Sequence, residues 1–220
     1  MNPRRSPLPL ALLLAVTALA IPAPAQGPVW LEQGPTGSRV MGQTANGPVI
    51  LRETDASVID LATRAVPQSA TSAVTWTELG VDGPRPWYAI SLDGRSFLEA
   101  RPTSYILKLR YAEFDPAMTA PQMPAGLAAS PINTTWIVQY WTQGLEIYRE
   151  HLAEFGAEVH LHLWYNANIV SMSPDTMASV SALPFVRAVV PFHPAYKLDE
   201  QLLEEQRSGH AAYPTKRVNV

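Results

Sequence analysis

A chain of 220 residues, 47% hydrophobic and 16% charged, holds enough apolar material to fold and is far from the composition of a disordered protein. A net charge of −3 gives none of the basic footprint of a nucleic-acid binder, so no nucleic-acid partner is expected. With no cysteine, disulfides, thiolate catalysis and cysteine-ligated zinc are excluded together.

The first 25 residues read as a secretory signal peptide. Arg4 and Arg5 supply the positive start, Leu8 to Ile21 is almost wholly apolar, and Ala23-Pro24-Ala25 is a small-x-small site. Cleavage is expected between Ala25 and Gln26. The apolar run is too short for a comfortable membrane span of about 20 residues. The mature product is therefore expected outside the cytoplasm and off the membrane. Export without disulfides points to a bacterial source.

Residues 26–111 read as a β-rich region with no chemistry to assign. Asn46-Gly47 precedes the apolar stretch Val49 to Leu51, and Asp93-Gly94 stands between Trp87–Leu92 and Ser96–Leu98 as a hairpin signal. Tyr105 to Tyr111 reads as a strand. Ala56 to Val66 reads as a short helix, with Val58, Ile59, Ala62 and Val66 on one side. Residues 112–134 read as a linker, because Pro116, Pro121, Pro124 and Pro131 oppose both helix and interior strand.

The stretch 135–198 is more regular. Trp136 to Tyr140 is a predicted strand. A helix is predicted from about Gln143 to Phe155, with Leu145, Tyr148, Leu152 and Phe155 at helical spacing, Thr142 as cap and Gly156 in the left-handed position after it. Val159 to Tyr165 and Asn168 to Met172 follow as strands. Ser173-Pro174-Asp175 opens a second helix, with a hydroxyl cap, a proline at the first helical position and an acid in the first turn. Pro184 stops it, and Phe185 to Phe192 is the last strand. The predicted class is α+β: a ferredoxin-like β-α-β-β-α-β domain preceded by a β-rich region, with two helices on one sheet face and the other face left open. Residues 199–220 form a polar tail, read as the start of a further, truncated segment.

Several residues invite sharper readings. His160 and His162, two apart on a strand, share a face by alternation and suggest a metal pair, but no carboxylate nearby completes a site. Trp136, Trp141, Trp164 and Tyr165 suggest an aromatic platform, against the plainer reading of core and cross-strand aromatics. Glu146, Glu150 and Glu154 suggest paired carboxylates, against a solvated helix face. His193 is a candidate pH sensor. No cofactor and no metal are expected.

The stretch 135–198 resembles the N-terminal propeptide, or inhibitor domain, of subtilisin-like serine proteases. The residues that carry the resemblance are the strand Trp136-Ile137-Val138-Gln139-Tyr140, the helix ending Leu152-Ala153-Glu154-Phe155-Gly156-Ala157, and Ala167-Asn168-Ile169-Val170. With them come Ser173-Pro174-Asp175, the helix ending Ala182-Leu183-Pro184-Phe185-Val186, and Val189-Val190-Pro191-Phe192-His193-Pro194. The resemblance implies an intramolecular chaperone and temporary inhibitor, whose partner is the catalytic domain of a subtilisin-like protease, in cis or in trans. It also implies an extended tail lying in the protease cleft, here Phe192, His193, Pro194, Ala195, Tyr196, Lys197 and Leu198, added as a strand through main-chain hydrogen bonds. The family's Asp-Thr/Ser-Gly, His-Gly-Thr-His and Gly-Thr-Ser-Met segments do not occur here. The chain is thus expected to be non-catalytic, the catalytic domain lying beyond Val220. The alternative reading is a free-standing exported binding module or inhibitor acting in trans.

Overall fold

A computed structural model describes residues 29–198, apart from Thr36 and Ala125, together with Leu202, Glu205, Ser208 and Gly209. The signal-peptide reading, the Ala25–Gln26 cleavage and most of the tail 199–220 fall outside the described residues. Among those described, no helix is long and apolar enough to cross a membrane.

The chain begins with strands alone. Val29–Gly34 (β1), Gly37–Thr44 (β2) and Gly47–Thr54 (β3) form an antiparallel meander. Ser57–Ala65 (β4), Ser72–Gly80 (β5), Gly83–Ser91 (β6) and the short Arg101–Pro102 (β7) form a second sheet in that order. Alternation along β5 explains how the two sheets pack. Val74 and Trp76 join Val40, Trp87 and Ala89 in one buried cluster, whereas Ala73 belongs with Tyr88 and Ile90 to another. Trp76 and Trp87 are cross-strand partners stacked at 6.4 Å.

Segment 57–65 is a strand, not the short helix expected from its apolar spacing. A bulge between Ile59 and Ala62, with Asp60 at φ 55°, shifts the alternation and imitates a helical period. Val58 and Leu61 both reach the buried cluster around Trp76. At Asp93-Gly94 the expected turn is present, its carboxylate accepting from the N–H groups of Arg95 (2.9 Å) and Ser96 (3.2 Å). The return over 96–98 is irregular, and the pairing with β6 resumes at Arg101–Pro102. Tyr105–Tyr111 is likewise not a continuous strand. Within it Leu107–Lys108 (β8) pairs with Glu113–Phe114 (β9).

Thr135–Tyr140 (β10), Glu146–Glu154 (α1), Glu158–Leu163 (β11), Ala167–Ser171 (β12), Pro174–Ser181 (α2) and Val186–Pro191 (β13) follow in that order. Their four strands lie antiparallel as β11-β12-β10-β13. Helix α1 starts three residues later than Thr142 as cap would require. Its N-cap is Leu145, without a side-chain hydrogen bond, and the Thr142 hydroxyl pairs instead with the Tyr148 hydroxyl at 3.0 Å. Gly156 takes the left-handed position after α1 at φ 79°. Ser173 caps α2 by accepting from the Thr176 N–H at 3.1 Å, with Pro174 in the first turn.

The expected α+β, ferredoxin-like class does not describe this chain. It is mostly antiparallel β, about 45% strand against 14% helix, arranged in four sheets among the described residues. The two helices carry the strongest local signals in the sequence. The long β-rich region that outweighs them carries weaker local signals, because strand pairing is non-local.

The second face of the β10–β13 sheet is also not open. Trp136, Val138 and Tyr140 face the helices, packing with Tyr148, Leu152, Val180 and Phe185. Tyr148 and Phe185 stack at 4.3 Å. Ile137, on the opposite face, is covered by Leu107, Phe114 and Tyr196. Apolar groups at β8, β9 and the turn after β13 thus supply the cover expected from a partner.

Candidate functional site

The predicted cleft-binding stretch, Phe192 to Leu198, is folded back on its own sheet. After β13, Pro194–Lys197 makes a 3-10 turn in which Ala195 and Tyr196 are buried. Tyr196 packs on Phe114 at 6.1 Å, Phe192 at 5.7 Å and His193 at 5.2 Å. The Phe192 N–H donates to Thr135 O and the Ala195 N–H to Leu127 O, so these donors are used inside the chain. Pro194 has no N–H to give. Lys197 is exposed and Leu198 half-buried. The extended conformation that strand addition needs is not the one this segment adopts.

His193 is tied into the same turn. Its Nδ1 accepts from the Ala129 N–H at 2.8 Å, and burial lowers its pKa from the ordinary value. Protonation would turn that acceptor into a donor facing a donor.

His160 and His162 do not act as a pair. The bulge between Val159 and Leu161 breaks the alternation that would align them. His160 bonds the Ser171 hydroxyl at 2.7 Å, and His162 meets the Asn168 side-chain oxygen at 3.2 Å. No group of three or more metal-capable side chains gathers among the described residues. The four aromatics do not form one platform either. Trp136 is buried with its Nε1–H donated to Met172 O, Tyr165 is half-buried, and Trp164 is 83% exposed. Glu146, Glu150 and Glu154 lie on the exposed flank of α1, where Glu146 meets Arg149 and Glu154 meets His151.

Trp141 belongs to a site that sequence reading missed. It stands immediately after β10, beside a cleft of about 590 Å³ between the sheet of β4–β7 and the β10–β13 sheet. Tyr105 meets it edge-on at 5.8 Å and donates its hydroxyl to Trp141 O at 2.9 Å. The guanidinium of Arg64, from β4, lies 3.8 Å above the Trp141 ring. Arg187, from β13, lies 4.1 Å from the Tyr105 ring and donates to Asp115 and to Gln139 Oε1. Burial pushes the Tyr105 pKa up to about 12, against the lowering pull of Arg187 and Arg64. Arg64, Tyr105, Asp115, Trp141 and Arg187 come from widely separated stretches of the chain, so no local motif announces them.

No protein-family model matches the chain, and neither a curated protein nor a solved structure matches it.

Proposed function

We propose that the chain is the non-catalytic N-terminal part of an exported subtilisin-like protease precursor, acting as chaperone and temporary inhibitor of the catalytic domain. One observation supports this reading: the residues behind the resemblance mark the ends of both helices and the pairing of the last strand. Gly156 terminates α1 in the left-handed conformation, Ser173-Pro174-Asp175 opens α2, and Pro184 follows its end. Val189 and Val190, on the edge strand β13, then pair with Val138 and Ile137 of β10.

The folded turn at Pro194–Lys197 modifies the reading in one respect. A stretch that enters a protease cleft as an added strand needs free main-chain donors, and those of Phe192 and Ala195 are already engaged. The cleft-bound stretch is therefore assigned beyond Leu198, with Tyr196 kept as cover for the sheet. Binding the native catalytic domain but not its unfolded chain would favour the native state by mass action.

The test is inhibition of a purified subtilisin-like protease by the full chain and by a version ending at Leu198. Slow, tight inhibition by the full chain, lost on truncation, supports the reading and the revised position of the tail. Absence of inhibition by the full chain at micromolar concentration, against the protease encoded with it, overturns the reading and favours a free-standing binding module.

A further inference from the structure

We propose that the cleft between Arg64, Trp141 and Arg187 is a binding site for an organic carboxylate carried on a flat apolar body. Its volume of about 590 Å³ lies within the roughly 300–1,000 Å³ of small-molecule sites. Such sites combine apolar walls with a few convergent polar groups, and this one does the same. Ile59, Pro84, Pro86, Tyr105, Met118 and Trp141 supply the apolar lining. Tyr105 and Trp141 fix each other edge to face, so the aromatic wall is preorganised.

The charges choose the ligand. Arg187 is committed: its terminal nitrogens hold Asp115 at 2.6 and 2.7 Å and Gln139 at 2.7 Å. Its side chain is 8% exposed, and its Nε has no hydrogen-bond partner among the described residues. Arg64 is different. Its Nε donates to the Thr75 hydroxyl at 3.3 Å and its guanidinium carbon lies 3.8 Å over the Trp141 ring, but its terminal nitrogens meet no acceptor among the described residues. A guanidinium held over an indole, with its outer fork unused, is arranged for two parallel hydrogen bonds to a carboxylate. Asp60 also lines the cleft and lies within electrostatic reach of Arg64, but it is exposed and makes no hydrogen bond or ion pair to it, so the outer fork stays open. Because Asp115 neutralises Arg187, the preference for an anion rests on the outer fork of Arg64. The apolar walls select an aromatic or branched body over a bare inorganic ion.

The site stands apart from the protease-binding reading and survives its failure. The test is calorimetric titration of the full chain with 2-naphthoate and with its neutral isostere 2-naphthamide. Saturable binding of the acid is expected, with the amide roughly tenfold weaker or more, as loss of a charge-assisted pair implies. Arg64→Gln should remove that preference, while Arg39→Gln, at a distant exposed pair, should leave it intact. Comparing acid with amide on the unaltered chain needs no variant to fold. N-acetyl-tryptophan in place of 2-naphthoate distinguishes a peptide's terminal carboxylate from a free aromatic acid, by which of the two binds more tightly. Equal affinities for acid and amide, no saturable heat with 2-naphthoate up to roughly 5 mM, or a preference that persists in a folded Arg64→Gln variant, each overturns the proposal.

Discussion

Arg187 on β13 donates two parallel hydrogen bonds, 2.6 and 2.7 Å, to the carboxylate of Asp115, a residue 72 positions earlier in the proline-rich segment. The pair is largely withdrawn from water, with side chains 8% and 18% exposed. It binds a stretch that composition marks as a linker to the last strand of the sheet. Phe114, next to Asp115, is buried under the same sheet.

Removing one member of such a pair leaves the other charge buried and unpaired. Asp115→Ala is expected to destabilise the chain by about 3–5 kcal/mol, and Asp115→Ala with Arg187→Met by much less. Urea unfolding of the four members of this double-mutant cycle measures both. A single-variant loss below about 1 kcal/mol would show that water already reaches the pair.

Gly156 separates conformational strain from packing. It sits at φ 79°, and a Cβ built there meets no atom within 4 Å, so Gly156→Ala costs only the left-handed conformation, about 1–2 kcal/mol. Asn at the same position should recover part of that loss. Gly144→Ala is the control, because its Cβ would make ordinary contact with Tyr140 at 3.7 Å and no positive φ is involved. Thermal unfolding of the three variants decides: equal midpoints for Gly156→Ala and Gly144→Ala would refute the account.

His193 links stability to pH. Its pKa in the folded chain is lowered, so the unfolded chain takes up the proton first as pH falls. Stability from this group is complete well above the ordinary histidine value of about 6.5 and declines as pH drops below it. The urea midpoint should therefore fall between about pH 7.5 and about pH 5, and fall less in His193→Asn, which lacks the titrating ring. Parallel pH curves for the two proteins would remove His193 from the explanation.

What could be read from the sequence follows the range of the forces involved. Caps and helical spacing act within one or two turns, so both helices, the Ser173 cap and the Gly156 terminator were legible to within a few residues. Strand β10 was legible as a continuous apolar run, since it is buried on both faces. The alternation of strand β4 is disguised by the bulge at Asp60, and that bulge is set by pairing with β5.

By itself the sequence determined most of the local elements of 135–191 and the lack of disulfides. Tertiary structure alone decided the rest. It folded Tyr196 and Phe114 over the sheet face that a partner was expected to cover, and set the Pro194–Lys197 turn against extension. It also brought Arg64, Trp141 and Arg187 to one cleft. The reason is physical: burial rewards any apolar group that reaches a face, wherever it lies in the chain, whereas a sequence pattern records only neighbours close along it.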